Sequence, residues 1–334
     1  MSKRARDGAS LKFSDLSFLK RRTNKELSQD AVKLLCQLWQ HTHRPNGTLP
    51  FPLPSSLMRS DFKKLTSQTY MVSMKIDGVR AQLLFGHLPN ENGKDKDYCA
   101  FIQRNGYVTY APFFSKEASL FQGTLLDGEV VITKEENGKE RLSYQVFDAI
   151  AVNGWSVGTL SLEQRLEQAK TTMEKICCNP SANIALKPFV EASLGIDECL
   201  EKLVSSNMSD GIILAPTIDG LNAGRLMNYY KYKPEHKITV DVKWDEESKT
   251  LRCGKPGFEL VEELEDIFWV QDDFKTKKNG IYECIINREN EKFKLIPHHR
   301  RHDKPNANSL FVLQRTLQNI KEGITSEELK ALFS

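Results

Sequence analysis

The sequence predicts an α+β fold in two parts, antiparallel sheets with flanking helices over most of the chain and a small β-barrel toward the C-terminus. The length of 334 residues allows about two domains at the usual ~150 residues each. Short runs rich in β-branched and aromatic residues, bounded by turn residues, outnumber the helical stretches. The composition, 40% hydrophobic, 27% charged and 9% aromatic, is that of a globular chain and excludes disordered and fibrous classes. No run approaches the ~18 consecutive apolar residues of a membrane span, and MSKRARDGAS lacks a signal-peptide core, so an intracellular protein without membrane association is expected. Seven cysteines without a C-x-x-C pair read as reduced thiols. The net charge of +3 is concentrated in residues 1–30, where eight bases face four acids. Such an arm suits RNA, polyphosphate or a targeting role.

The elements follow in order. Val32, Leu35 and Trp39 predict a helix over 26–41. Pro45, Pro50, Pro52 and Pro54 predict an extended lead-in without regular structure. TYMVSMK, VRAQLLFGHL, DYCAFIQ and YVTYAPF read as strands, with Asn105-Gly106 as a type I′ hairpin turn. Asn137-Gly138 separates LLDGEVVITK from RLSYQVFDAI in the same way, which predicts a meandering antiparallel sheet. A capping box from Ser161 to Gln164 opens a helix with Leu162, Leu166, Ala169 and Met173 on one face, and Ile196, Leu200 and Leu203 fit a second helix. ITVDVKW, TLRCG, GIYECIIN and KFKLIP suit a five-stranded barrel of the oligonucleotide-binding type. Helices close the chain, Leu310 to Ile320 with a stop at Gly323, then a capping box from Thr325 to Glu328. The expected boundaries are 1–236 for the larger domain and 237–311 for the barrel, with helices 312–334 packing back on the larger domain.

Chemistry-bearing residues recur in a fixed series. KIDGVR leaves Lys75 at a strand end, with Gly78 permitting a tight turn and Arg80 returning toward the same cavity. LLDGEVV places Glu129 in a strand, SYQVFDAI places Phe147 beside Asp148, and SDGIILAP offers Asp210 and Ile213. In YYKYKP, Lys231 and Lys233 share one strand face because spacing two returns to the same side. HHRRHDKPNANS supplies Arg301, Asp303 and Lys304. Each element alone is ordinary; the ordered series is not.

That series, K-x-D-G, D-G-E, an F-D pair, D-G-I, K-x-K and a terminal basic motif, resembles the covalent nucleotidyltransferase superfamily of capping-enzyme guanylyltransferases and ATP-dependent DNA and RNA ligases. The resemblance spans about residues 45 to 310. It is nearest to the mRNA guanylyltransferase branch, through FPLPSSLMRSDFKKL before the lysine and the R-x-D-K of Arg301 to Lys304. The length and helical ending are similar to the compact stand-alone enzymes of large DNA viruses, so the expected site of action is the nucleus or a site of viral transcription.

The resemblance implies GMP transfer from GTP, through a phosphoramidate on Lys75, to the 5′-diphosphate end of RNA; ATP-dependent polynucleotide ligation is the alternative. A lysine attacks only when neutral, which from a pKa near 10.4 costs roughly 4 kcal/mol at pH 7.4. Lys231, Lys233 and a bound Mg²⁺ or Mn²⁺ would disfavour the ammonium, with Glu129 and Asp210 as hard oxygen ligands for the cation. The family further implies that Arg80 and Glu129 hold the ribose, that Phe147 and Ile213 sandwich the purine, and that Lys187 reads guanine O6. Lys231 and Lys233 would hold the α-phosphate, Arg301 and Lys304 would orient pyrophosphate, and Asp303 is expected to belong to the same GTP-binding set. Arg104, in the IQRNG hairpin, is a further candidate for contact with nucleotide or RNA. Phosphatase, triphosphatase and methyl-donor motifs are missing from the sequence, so separate RNA triphosphatase and cap methyltransferase chains are expected partners.

Overall fold

The computed structural model describes residues 23–40, 49–88, 96–134, 140–205, 209–254, 267–289, 292–302, 304 and 306–334. Most of the basic arm, the Asn137-Gly138 turn and Asp303 lie outside the described residues. In chain order the elements are α1 (Lys25–Leu38), β1 (Pro52–Ser56), α2 (Phe62–Leu65), β2 (Tyr70–Ile76), β3 (Val79–Leu88), β4 (Lys96–Ile102), β5 (Val108–Tyr110), β6 (Phe113–Phe114), β7 (Thr124–Lys134), β8 (Glu140–Val152) and β9 (Trp155–Ser156). They continue with α3 (Leu162–Met173), β10 (Cys177–Cys178), β11 (Ala182–Leu186), β12 (Val190–Glu191), α4 (Ala192–Ser205), β13 (Ser209–Pro216) and β14 (Gly224–Tyr232). The last are β15 (Thr239–Asp245), β16 (Thr250–Arg252), β17 (Ile267–Phe268), β18 (Gly280–Glu289), β19 (Lys292–Arg300), α5 (Leu310–Glu322) and α6 (Ser326–Ala331).

Among the described residues the chain divides into two units, one of residues 23–55, 63–232 and 333–334, the other of 56–62 and 233–332. In the larger unit a sheet of order β11-β8-β7-β3-β4-β5, with β9 beside β8, accompanies a second sheet of order β1-β14-β13-β2-β12. β3 shows why its run VRAQLLFG is almost continuously apolar: Ala81, Leu83 and Phe85 enter one core while Leu84 enters another, on the opposite face. The second core takes Leu27, Ala31 and Leu35 of α1, whose spacing of four forms one helical stripe. Burial of such side chains stabilises by ~1.5–3 kcal/mol each.

Four local expectations change. The meander is broken, because β2 and β3, adjacent in sequence, belong to different sheets. Gly78 sits at that break with an ordinary φ, and a Cβ there would lie 2.5 Å from the Val130 carbonyl oxygen, so close approach of backbone, not a tight turn, demands glycine. The prolines do not prevent a strand, since β1 is tolerated as the edge of its sheet, where proline's missing donor costs least. At Asn105-Gly106 only Gly106 has positive φ (83°), and Gly106 N–H donates to Gln103 C=O. That is a turn centred on Arg104 and Asn105 followed by a glycine bulge, not the type I′ turn, which needs two positive φ angles.

The smaller unit is a curled five-stranded sheet of order β16-β15-β18-β19-β17 around Trp244, Leu251, Phe274, Phe293 and Leu295. α5 closes this core with Leu313, Leu317 and Ile320, so this helix joins the smaller unit and not the larger one, because its apolar stripe is buried against the five-stranded sheet. Residues 56–62 join it too. Leu57 is fully buried, its carbonyl accepts from Asn319 Nδ2, and Arg59 donates to both carboxylate oxygens of Glu328 at 2.7 and 3.0 Å.

Candidate active site

The site is built at the end of β2. Alternation along that strand puts Ser73 and Lys75 on one face, and register places Gly211 beside Lys75, Ile213 beside Ser73, and Lys231 of β14 beside Ile213. The β2–β13 register slips between Ser209 and Gly211, which makes Asp210 the extra residue of a β-bulge. The bulge turns the Asp210 carboxylate onto the lysine: Lys75 Nζ donates to Oδ1 at 2.6 Å, with both side chains about three-quarters buried. Ser209 Oγ locks the bulge by donating toward the Lys75 carbonyl at 2.6 Å and the Gly211 carbonyl at 2.8 Å.

The seven-stranded sheet supplies the remaining groups, again through a bulge. β7 pairs Asp127 with Asp148 but Gly128 with Val146, leaving Phe147 as the extra residue. Arg80 stands opposite Glu129 in register. Its guanidinium donates to both oxygens of the fully buried Asp127, at 3.1 and 2.7 Å, and to the Pro52 carbonyl at 2.6 Å. Burial opposes the Arg80 charge and Asp127 more than offsets it. Arg80 therefore enters the site already oriented, with two of its five N–H groups left for a ligand. Arg80 Cζ lies 5.1 Å from the Phe147 ring centroid, and Lys187 Nζ lies 5.5 Å from it.

Burial dominates the electrostatics. It pushes the Glu129 carboxyl up to about 7, against the pull of Arg80, Lys75 and Lys187, and it pulls the Lys187 ammonium down to about 7, against the support of Glu129. Lys75, Asp210, Glu129, Lys187 and Arg80 thus form one charge cluster with the Phe147 ring against it, and Ile213 and Lys231 lie on the Lys75 face of its sheet. Arg104 is exposed at the β4–β5 hairpin tip, at the same sheet end, since Ile102 pairs with Gln82 two residues from Arg80.

The basic C-terminal residues are placed otherwise. Lys233 follows the end of β14 and, with Arg301 and Lys304, belongs to the smaller unit. There Arg301 Nη1 lies 3.2 Å from Asp241 and 3.7 Å from Glu283, whose carboxylate also meets His299 at 2.9 Å. Asp303 lies outside the described residues. Sequence reasoning gave no role to Asp127, Ser209 or Arg165, the last fully buried and paired with Asp148 at 2.7 Å. The first two adjoin recognised motif residues, D-G-E and S-D-G; for Arg165 the sequence carries no signal.

A strand-end lysine with a carboxylate on its amine, D-G-E and F-D strands in the neighbouring sheet, and a K-x-K segment leading into a curled five-stranded sheet are the features of a nucleotidyltransferase. Residues 18–235 match the family model described as mRNA capping enzyme, catalytic domain. The chain belongs to this family of guanylyltransferases. It is 26% identical over 324 residues to the mRNA-capping enzyme subunit alpha of Schizosaccharomyces pombe, covering 84% of this chain and 79% of that one. To the subunit alpha of Saccharomyces cerevisiae it is 24% identical, covering 92% and 83%. Among solved structures, the ATP-dependent DNA ligase of bacteriophage T7 in complex with ATP matches at 14% identity and a TM-score of 0.41, covering 63% of this chain and 74% of that one.

Proposed function

We propose that this chain caps RNA by way of Lys75. In the first step Nζ attacks the α-phosphorus of GTP, the bond to the bridging oxygen breaks, pyrophosphate leaves, and the amine proton passes to solvent by way of Asp210. In the second, a β-phosphate oxygen of 5′-diphosphate RNA attacks the same phosphorus, the N–P bond breaks, GpppRNA leaves and Lys75 regains its proton. The observation that carries this reading is the Asp210 carboxylate 2.6 Å from Lys75 Nζ, in a cluster that also holds Arg80, Glu129 and Lys187.

The donor set fits a divalent cation. Glu129 and Asp210 are two hard oxygen donors, and Mg²⁺ or Mn²⁺ commonly takes one or two carboxylates, with water and substrate phosphate completing the shell. Among the described residues no three His, Cys, Asp or Glu side chains cluster. When bound, the cation would supply charge neutralisation at the α-phosphate. Arg80 and Glu129 would orient the ribose, Phe147 and Ile213 the base, Lys187 its O6, and Lys231 and Lys233 the α-phosphate. Arg301 and Lys304 would orient the leaving pyrophosphate. The other cap-forming steps fall to separate triphosphatase and methyltransferase chains, and the reported fungal relatives go with a nuclear site of action. No described helix is long and apolar enough to cross a membrane.

The test is covalent labelling with α-labelled GTP or ATP and Mg²⁺, followed by a denaturing gel. GTP is expected to give an acid-labile, alkali-stable adduct that Lys75→Arg abolishes, because a guanidinium stays protonated. Labelling by ATP alone would move the chain to the ligase reading, and full labelling of Lys75→Arg would dismiss Lys75 as the nucleophile.

A further inference from the structure

The loop from β11 to β12 is Lys187-Pro188-Phe189, and it is pinned from both sheets. The Lys187 backbone N–H donates to the Val146 carbonyl at 2.7 Å, one residue before Phe147. Ser73 Oγ donates to the Pro188 carbonyl at 2.7 Å, from two residues before Lys75. β12 then pairs Val190 with Val72. The loop is thereby tied to the strand of the nucleophile on one side and to the strand of the stacking aromatic on the other.

Within it the Lys187 side chain is buried, 5% exposed, and its Nζ lies 5.3 Å from the Phe189 ring centroid and 5.5 Å from that of Phe147. Among the described residues no acceptor takes a hydrogen bond from this ammonium, and Glu129 supports its charge only through space. A cation between two aromatic rings is held by their quadrupoles without spending its N–H groups. Its position is fixed and its donors stay available, a combination a solvated lysine lacks.

We propose that Phe189 is a positioning residue for base choice: with Phe147 it cages Lys187, and the cage, more than the lysine's presence, sets the preference for a 6-oxo over a 6-amino purine. The proposal rests on Lys187 as the reader of the purine 6-position. A caged Lys187 keeps its N–H groups aimed at the purine 6-position, where a 6-oxo group accepts from them and an exocyclic amine does not. With one wall missing, Lys187 can swing away and tolerate it. The purine 2-position plays no part.

The experiment measures kcat/KM for labelling with GTP and ITP, both 6-oxo, and with ATP and 2,6-diaminopurine riboside triphosphate, both 6-amino. Phe189→Leu keeps an apolar filler and removes the ring; the 6-oxo over 6-amino ratio is expected to fall about tenfold in both pairings, while Phe189→Tyr keeps the parental ratio. Lys187→Met should collapse the ratio, and adding Phe189→Leu to it should change the ratio no further. A merely structural Phe189 would instead lower labelling by all four nucleotides alike, which overturns the proposal. If Lys187→Met collapses the ratio and Phe189→Leu leaves it intact, the cage fails alone; if Lys187→Met leaves it intact, the reader fails and the cage with it. Should Phe189→Leu lose its near-UV circular dichroism, Phe189→Met replaces it under the same criteria.

Discussion

Lys187 is an ammonium that folding strips of water, and the cost has a pH signature. Burial brings it to about 7, so between pH 7 and 10.5 the unfolded chain holds a proton there that the folded chain does not. Stability from this group therefore rises with pH across that window, and below it the folded state bears the full cost. Glu129 has the opposite sign: raised by burial to about 7, it binds a proton in the folded state that the unfolded chain has lost above about 4.5, so its cost grows from pH 4.5 to 7. Lys187→Met is thus expected to raise the melting temperature by several degrees at pH 6.5 and by little at pH 10; Glu129→Gln should raise it more at pH 8 than at pH 5. Calorimetry of the two variants decides, and a Lys187→Met variant melting below its parent at pH 6.5 contradicts the assignment. Lys75, Glu129 and Asp210 were legible in the sequence through the ordered series of motifs that carries them, not through any one motif alone. Asp127 was not, since its role exists only once register sets it beside Arg80.

At the scale of elements, the two β-bulges carry the site, and neither leaves a mark in residue type. An extra residue in one strand depends on the partner strand's register, so the bulges at Asp210 and Phe147 were invisible, as was the choice of turn at Asn105-Gly106. Ser209→Ala removes the hydroxyl that ties the bulge to the Lys75 carbonyl. The expected result is a loss of about tenfold in the rate of lysine labelling with stability changed by only ~1 kcal/mol, read from single-turnover kinetics beside urea unfolding. The α3 helix shows the contrary balance. Arg165 donates to both Asp148 oxygens, to Tyr229 and to the Leu160 and Asp219 carbonyls, so all five of its guanidinium N–H groups are used. Arg165→Met strands a buried carboxylate and should cost ~3–5 kcal/mol in urea unfolding, part of which Asp148→Leu in the same chain restores. An unchanged midpoint would show that water reaches Asp148.

Across the whole molecule, the order of elements and the main boundary, expected at 236/237 and found at 232/233, were readable from strand-sized runs and capping boxes, whereas the segments that cross to the smaller unit were not. Residues 56–62 sit far in sequence from the unit they enter, and no local pattern encodes a contact across that interval. The basic residues of R-x-D-K show the same limit, because the acids that hold Arg301 come from β15 and β18. If Arg301 orients pyrophosphate, Arg301→Ala should abolish formation of the lysine adduct while leaving GMP transfer from preformed adduct to diphosphate RNA largely intact; normal adduct with failed transfer would make it an RNA contact. The smaller unit's composition also constrains how the protein is made. The 56–62 segment, in which Leu57 is fully buried, is hydrogen-bonded to α5, which begins at Leu310. At ~5–20 residues per second, roughly 10 to 50 seconds of translation separate the two. During that interval the nascent chain carries the 56–62 segment undocked, within reach of chaperones, and the second unit can close only after α5 has left the ribosome.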